Sequence, residues 1–191
     1  AVLQAALTHI QFETIHPFAD LVGRTGRALI HSLIRGKGLT RYVTVPVSAG
    51  LLVDVDTYFA ALTAYRSGDP AAIIARLVDA CFAAVTNGRA LIGDLRAIRA
   101  SWDERINARR GANTWRIADL LLAYPVLDAP SIARTLGIAP SNVYAPITPL
   151  IEAGILTQTN DRKRGQIWRS IEVLTALDAF AARAGKRRAR T

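Results

Sequence analysis

Apolar residues return at helical intervals through most of the chain. Residues 2–14 (VLQAALTHIQFET) have helix-forming composition, with Leu3, Leu7 and Ile10 or Phe12 marking an apolar face. Residues 28–34 continue as a second helix that Gly36 and Gly38 stop. LTRYVTVPVS, residues 39–48, is β-branched and punctuated by proline, which predicts an extended or loop segment. Leu51, Val55, Tyr58, Phe59 and Leu62 then mark one side of an amphipathic helix ending at Gly68. Asp69 and Pro70 suit the N-cap and first position of a long helical stretch reaching about Arg109. Asn87-Gly88 predicts an interruption within it.

The second half has a different rhythm. ARRGAN, residues 108–113, has the polarity and glycine of a linker, so the boundary is expected at 109–113, between domains 1–108 and 114–184. WRIADLLLAY reads as a helix, and APSIARTLG as a short helix closed by Gly137. APSNVYAPITPLIEAG is a third helical segment closed by Gly154, although Pro146 and Pro149 fall in its interior, where proline costs about 3 kcal/mol. ILTQT and QIWRS are β-type runs joined by the polar turn NDRKRG, and a last helix covers Val173 to Arg183. Three helices followed by a hairpin is the order of a winged helix-turn-helix. The expected fold class is therefore mainly α: a helical domain, then a small α+β winged helix-turn-helix domain and a basic tail, residues 185–191.

Composition narrows the picture. Hydrophobic residues make up 51% of the 191, ample for packed cores. No apolar run is expected to span a membrane, and no N-terminal secretion signal is visible, so no membrane partner is expected. The single Cys81 excludes an internal disulfide framework. It falls among Leu77, Val78, Phe82 and Val85 and reads as a small core residue. These features together predict a cytoplasmic protein. The lack of methionine implies an initiator already removed or a start partway into a longer protein. A formal charge of +9 invites a polyanion, but the terminal KRRART carries four of the cations. Such a tail attracts any polyanion and says little about specificity.

The chemistry-bearing stretch is IHPFADLVGRTGR, residues 15–27. His16 can take a hydroxyl proton near neutral pH. Asp20 offers a hard carboxylate suited to magnesium that also holds phosphate oxygens. Gly23 permits close backbone approach at a helix start, where free N–H groups and the helix dipole favour anions. Arg24 and Arg27, three apart, lie on one side of the following helix and can both reach a polyphosphate. Each feature also has a plainer reading: a histidine before proline as structural, two helix arginines as a solvated face. His9 and His31 flank the motif without metal-ligand spacing and read as supporting or surface residues.

QFETIHPFADLVGRTGR closely resembles the signature of the Fic family, H-x-F-x-[D/E]-G-N-G-R-x-x-R. His16, Phe18, Asp20, Gly23, Arg24 and Arg27 match in register, with Phe12, Glu13 and Ile15 as common flanking residues. The resemblance implies transfer of AMP from ATP to a hydroxyl side chain of a target protein, with Mg²⁺ and ATP required. It implies that His16 deprotonates the target hydroxyl, that Phe18 anchors the loop in the core, and that Asp20 holds Mg²⁺. Gly23 would contribute to the anion hole, Arg24 would bind the terminal phosphates, and Arg27 would brace the loop or the phosphates. DTYFAALTAYRSGD resembles the next family helix, where Tyr58 could flank the nucleotide base or simply sit on a core face.

Leu21 and Val22 depart from the family's Gly-Asn. Leucine lacks glycine's freedom at positive φ, and valine supplies no hydrogen bond and stiffens the backbone. Losing one preorganised donor typically costs about 10²–10³ in rate. The family also carries helices and a target-docking flap before the motif, so the resemblance covers the C-terminal part of the Fic fold. Within the winged helix, Asn142 and Tyr144 are the candidate groove residues for double-stranded DNA, with Arg162, Lys163 and Arg164 on the wing. Such modules also dock proteins or make homodimers. Three readings follow: a Fic-type adenylyltransferase impaired at Leu21-Val22, a non-catalytic regulatory or DNA- or protein-binding relative, and a truncated gene product.

Overall fold

The computed structural model describes residues 2–20, 22–40, 47, 51, 55–159 and 165–184. Among these are eight α-helices and a three-stranded antiparallel sheet, the mainly α class that the apolar periodicity predicts. The chain divides into two compact units, Ala1–Arg89 with Phe180–Thr191, and Ala90–Ala179.

In the first unit, α1 (Val2–Ile15) packs along α2 (Val22–Gly36), with α3 (Val55–Arg66) and the start of α4 (Ala71–Arg105) completing the core. Ala5, Ala6 and Ile10 of α1 meet Ile30 and Ile34 of α2, Leu62 of α3, and Ile73 and Leu77 of α4. Each fully buried isoleucine or leucine contributes about 1.5–3 kcal/mol. The apolar face of α1 is the expected one only at Ile10. Leu3 and Leu7 are exposed, and the two small alanines turn inward, which lets α2 approach closely. On α3 the buried stripe runs Tyr58, Ala61, Leu62, Tyr65 at helical spacing, so Phe59 lies off it and is exposed. On α4 the stripe is Ile73, Leu77, Ala80, Ala84; this exposes Val85 and leaves Phe82 70% exposed, against expectation. Cys81 is half-buried beside that core, and burial pushes its thiol pKa up.

The start of α4 follows the sequence: the Ala71 amide donates to Asp69 Oδ1 at 2.9 Å, with Pro70 between them. The helix then runs unbroken through Asn87-Gly88, where an interruption is predicted. Asn87 is held by tertiary bonds. Its Nδ2 donates to the Phe180 carbonyl at 3.1 Å, and its Oδ1 accepts from Arg183 Nε at 2.6 Å. Those bonds offset the roughly 1 kcal/mol that glycine costs a helix interior. Among the described residues α4 is the one helix that, by length and composition only, is apolar enough to cross a membrane, with mean hydropathy 1.4 over an eighteen-residue window. Its Ile73, Leu77 and Ala80 side chains nevertheless lie in the unit's core. Of the extended segment expected at 39–48, residues 41–46 and 48 lie outside the described residues, while Val47 is helical and buried.

The second unit is built around Trp102, Ile117, Leu121, Ile132, Ile147, Leu150 and Trp168. Helix α5 (Asn113–Ala123) leads into a strand that the hydrophobic pattern had not disclosed, β1 (Val126–Asp128). Then come α6 (Ala129–Leu136), a 3₁₀ turn (Pro140–Asn142), α7 (Tyr144–Glu152), β2 (Thr157–Gln158), β3 (Ile167–Arg169) and α8 (Ile171–Ala184). The sheet order is β1-β3-β2, with Leu127 opposite Trp168 and Thr157 opposite Arg169. Trp168 points into the core while Ile167 and Arg169 point out, the alternation of a half-buried strand.

Asp128 caps α6 by accepting from the Ser131 amide at 2.9 Å, and that hydrogen bonding holds its carboxyl below the usual range. Gly137 closes the same helix at φ 68, a left-handed position that suits glycine. The third helical segment begins later than expected. Pro140 starts the 3₁₀ turn and the α-helix begins at Tyr144, so Pro146 falls in the first turn, where its missing N–H costs little. Pro149 alone lies inside α7. The stretch expected as a linker lies within this unit. Trp115 Nε1 donates to the carbonyls of Ala108 and Arg109, and the guanidinium of Arg110 sits 4.8 Å from the Trp115 ring centre.

Candidate functional site

Pro17 cannot donate a backbone hydrogen bond, so α1 must end beside it. His16 closes the helix: its amide donates to the Phe12 carbonyl at 3.0 Å and its φ is 51°. Among the described residues it is the one non-glycine with positive φ. A left-handed residue other than glycine costs about 1–3 kcal/mol, and proline next in the chain adds its own steric demand. The imidazole is exposed. Phe18, expected in the core, is 51% exposed instead, with its ring 6.0 Å from that of Phe12.

Asp20 stands just ahead of α2, which starts at Val22, so the carboxylate precedes a helix N-terminus. Gly23 and Arg27 lie one turn apart, with the Arg27 guanidinium beside Gly23. A Cβ at Gly23 would come 3.3 Å from Arg27 Nη1. Arg24 is exposed and Arg27 partly buried. The structure thus brings His16, Asp20, Gly23, Arg24 and Arg27 onto one helix–loop–helix segment. Leu21 lies outside the described residues.

The sequence reading missed what stands behind this segment. His9, expected to support the site or lie on the surface, is 2% exposed. Its Nε2 lies 3.2 Å from the Tyr58 hydroxyl, and its Nδ1 lies 3.9 Å from Glu13 Oε1. Burial lowers the His9 pKa, opposed by Glu13. Burial, and then Glu13, push the Tyr58 phenol up to about 12. The hydroxyl of Tyr58 is therefore engaged inside the first unit. Gly26 seals the cluster from α2, because a Cβ there would meet Glu13 Oε1 at 2.5 Å and His9 Nδ1 at 2.8 Å. A glycine inside a helical pattern is the signal that could have pointed to this close approach. His31, further along α2, is half-buried. Beside the motif, an open apolar cavity of about 520 Å³ is lined by Leu7, Phe12, Ile15, Leu29 and Tyr65.

Residues 1–34 match the model of the Fic/DOC family. The match covers α1, the His16–Asp20 loop and α2 almost to its end, so the similarity to the Fic/DOC family takes in the whole motif segment and His9. No curated protein matches the chain.

In the second unit, Asn142 lies exposed in the 3₁₀ turn. Tyr144 opens α7, 44% exposed, with its ring edge-on to Trp168 at 6.0 Å. Arg162, Lys163 and Arg164 lie outside the described residues, as does the 185–191 tail.

Proposed function

We propose that residues 16–27 form a Fic-type phosphate site and that the chain is a Fic-type nucleotidyltransferase. It would move AMP from ATP to a protein hydroxyl, slowed by Leu21 and Val22. The observation that carries this reading is the seating of the motif: His16 is held in the left-handed region at the end of α1, and α2 starts at Val22 with Gly23 against Arg27. The Fic/DOC match over the same segment supports it.

In this reading the first-turn N–H groups of α2 and the two arginines receive the phosphates, and His16 accepts the proton of the attacking hydroxyl. Asp20 would hold Mg²⁺, which would neutralise phosphate charge. Among the described residues no group of three or more His, Cys, Asp or Glu could hold a metal ion by itself. A single carboxylate fits magnesium, because that ion keeps several waters and takes its other ligands from substrate phosphates. The test is transfer of label from ATP carrying it on the α-phosphate. Labelled protein that disappears with His16→Ala supports the reading, and labelling indifferent to that substitution overturns it.

A second reading, a non-catalytic regulatory or binding role, is favoured by the other unit. The order helix, strand, helix, helix, strand, strand, with sheet order β1-β3-β2, supports a winged helix-turn-helix. Asn142 and Tyr144 would then face a duplex, with Arg162, Lys163 and Arg164 on its backbone. However, α7 (YAPITPLIE) carries no lysine or arginine, and it exposes Tyr144 and Ile151. That face suits a protein partner or a second copy better than phosphates. Retention on duplex DNA that weakens steeply with salt and survives removal of KRRART would favour DNA instead.

A further inference from the structure

Three titratable side chains meet inside the first unit without a role in the proposed transfer. His9 and Glu13 sit one turn apart on α1, and Tyr58 reaches them from α3. His9 Nδ1 and Glu13 Oε1 are both buried and, at 3.9 Å apart, make no hydrogen bond to each other, while the Gly26 backbone beside His9 favours its charged form. That separation is too long for a hydrogen bond. Gly26 of α2 rests on both atoms and leaves no room for even a methyl group. Any rearrangement between His9 and Glu13 must therefore be felt by α2 at Gly26.

We propose that His9, Glu13 and Tyr58 form a pH-sensitive latch that sets how α2 seats on α1 at Gly26, and with it the position of Arg27. The charged and titratable groups facing His9 are Glu13 from its own helix, Arg27 from α2 and Tyr58 from α3. With His9 neutral, the two helices are held by the glycine contact. A proton on His9 draws the Glu13 carboxylate toward charge-assisted hydrogen-bond distance, about 2.7–2.9 Å. The same proton repels Arg27, whose charge already disfavours protonation of His9. Burial is the largest influence, so the switch operates below the ordinary histidine value of 6.5. The consequence for a phosphate ligand of Arg27 rests on the function proposed above; the latch itself does not.

The experiment follows the backbone amide signals of Gly26 and Arg27 by NMR in the full chain, without nucleotide, as pH is lowered from 8 to 5. The two signals should move together with a midpoint below 6.5. His9→Gln, neutral at every pH, should abolish the movement. Glu13→Gln removes the carboxylate that favours the charged imidazole, so it should lower the midpoint further. It also provides a readout if His9→Gln fails to fold. Flat amide signals, a transition that persists in His9→Gln, or a midpoint that Glu13→Gln leaves in place would each overturn the latch. Because no ATP is present, none of these outcomes bears on the proposed transfer.

Discussion

His9 on α1 and Tyr58 on α3, 49 residues apart in the chain, meet at 3.2 Å between Nε2 and the phenolic oxygen. This pairing ties the helix that ends in His16 to the helix expected to flank a nucleotide. The motif segment therefore rests on a buried polar cluster, with Gly26 as the point of closest approach.

Gly26→Ala should destabilise the first unit. Alanine gains about 1 kcal/mol in helix propensity, but its Cβ would meet Glu13 Oε1 at 2.5 Å and His9 Nδ1 at 2.8 Å. Overpacking of this kind costs about 1–3 kcal/mol, so the net effect in chemical denaturation should be a loss. A stabilised variant would mean that the two side chains swing away freely.

Acid should weaken the same unit before its carboxylates titrate. The folded pKa of His9 lies below its unfolded value of 6.5, so the unfolded state binds the proton more readily. Stability is complete above that unfolded value and falls as pH drops from it toward the folded pKa. His9→Gln should flatten this part of the stability–pH curve, which denaturation at a series of pH values will reveal.

His16→Gly should separate stability from chemistry. Glycine adopts φ 51° without strain, so the variant should equal or exceed the native chain in stability, by up to about 1 kcal/mol. Under the proposed function it should also lose all label transfer. A clear loss of stability would show that the imidazole itself holds the loop.

Asp128→Ala removes the cap of α6 and should cost the second unit about 1 kcal/mol. The folded carboxyl is held below its ordinary range, so the cap's contribution is present above the unfolded pKa and disappears as pH falls through the folded one. The gap between Asp128→Ala and native should therefore close in acid.

Much of this fold was legible wherever a local signal decides structure. Asp69-Pro70 starts α4 and Gly137 ends α6, as capping rules predict. The His16–Arg27 motif lies on its predicted loop and helix. Choices made by tertiary packing were less legible. Periodicity cannot tell a stripe of alanines from one of leucines, so Ile10 is buried as expected while Ala5 and Ala6 take the place expected of Leu3 and Leu7. Asn87-Gly88 has the local chemistry of a break, and bonds to Phe180 and Arg183 hold it helical. β1 is three residues long, too short for alternation to register. His9 looked peripheral because its partners Tyr58 and Gly26 are distant in sequence.

The central claim, a Fic-type phosphate site at 16–27, is tested most directly by calorimetric titration with Mg-ATP of the native chain and of Leu21→Gly with Val22→Asn. A hydrogen bond to a charged group is worth about 1.5–3 kcal/mol, so restoring the donors should tighten binding at least about tenfold. Equal affinity in the two chains, or no binding by either at millimolar nucleotide, would contradict the account.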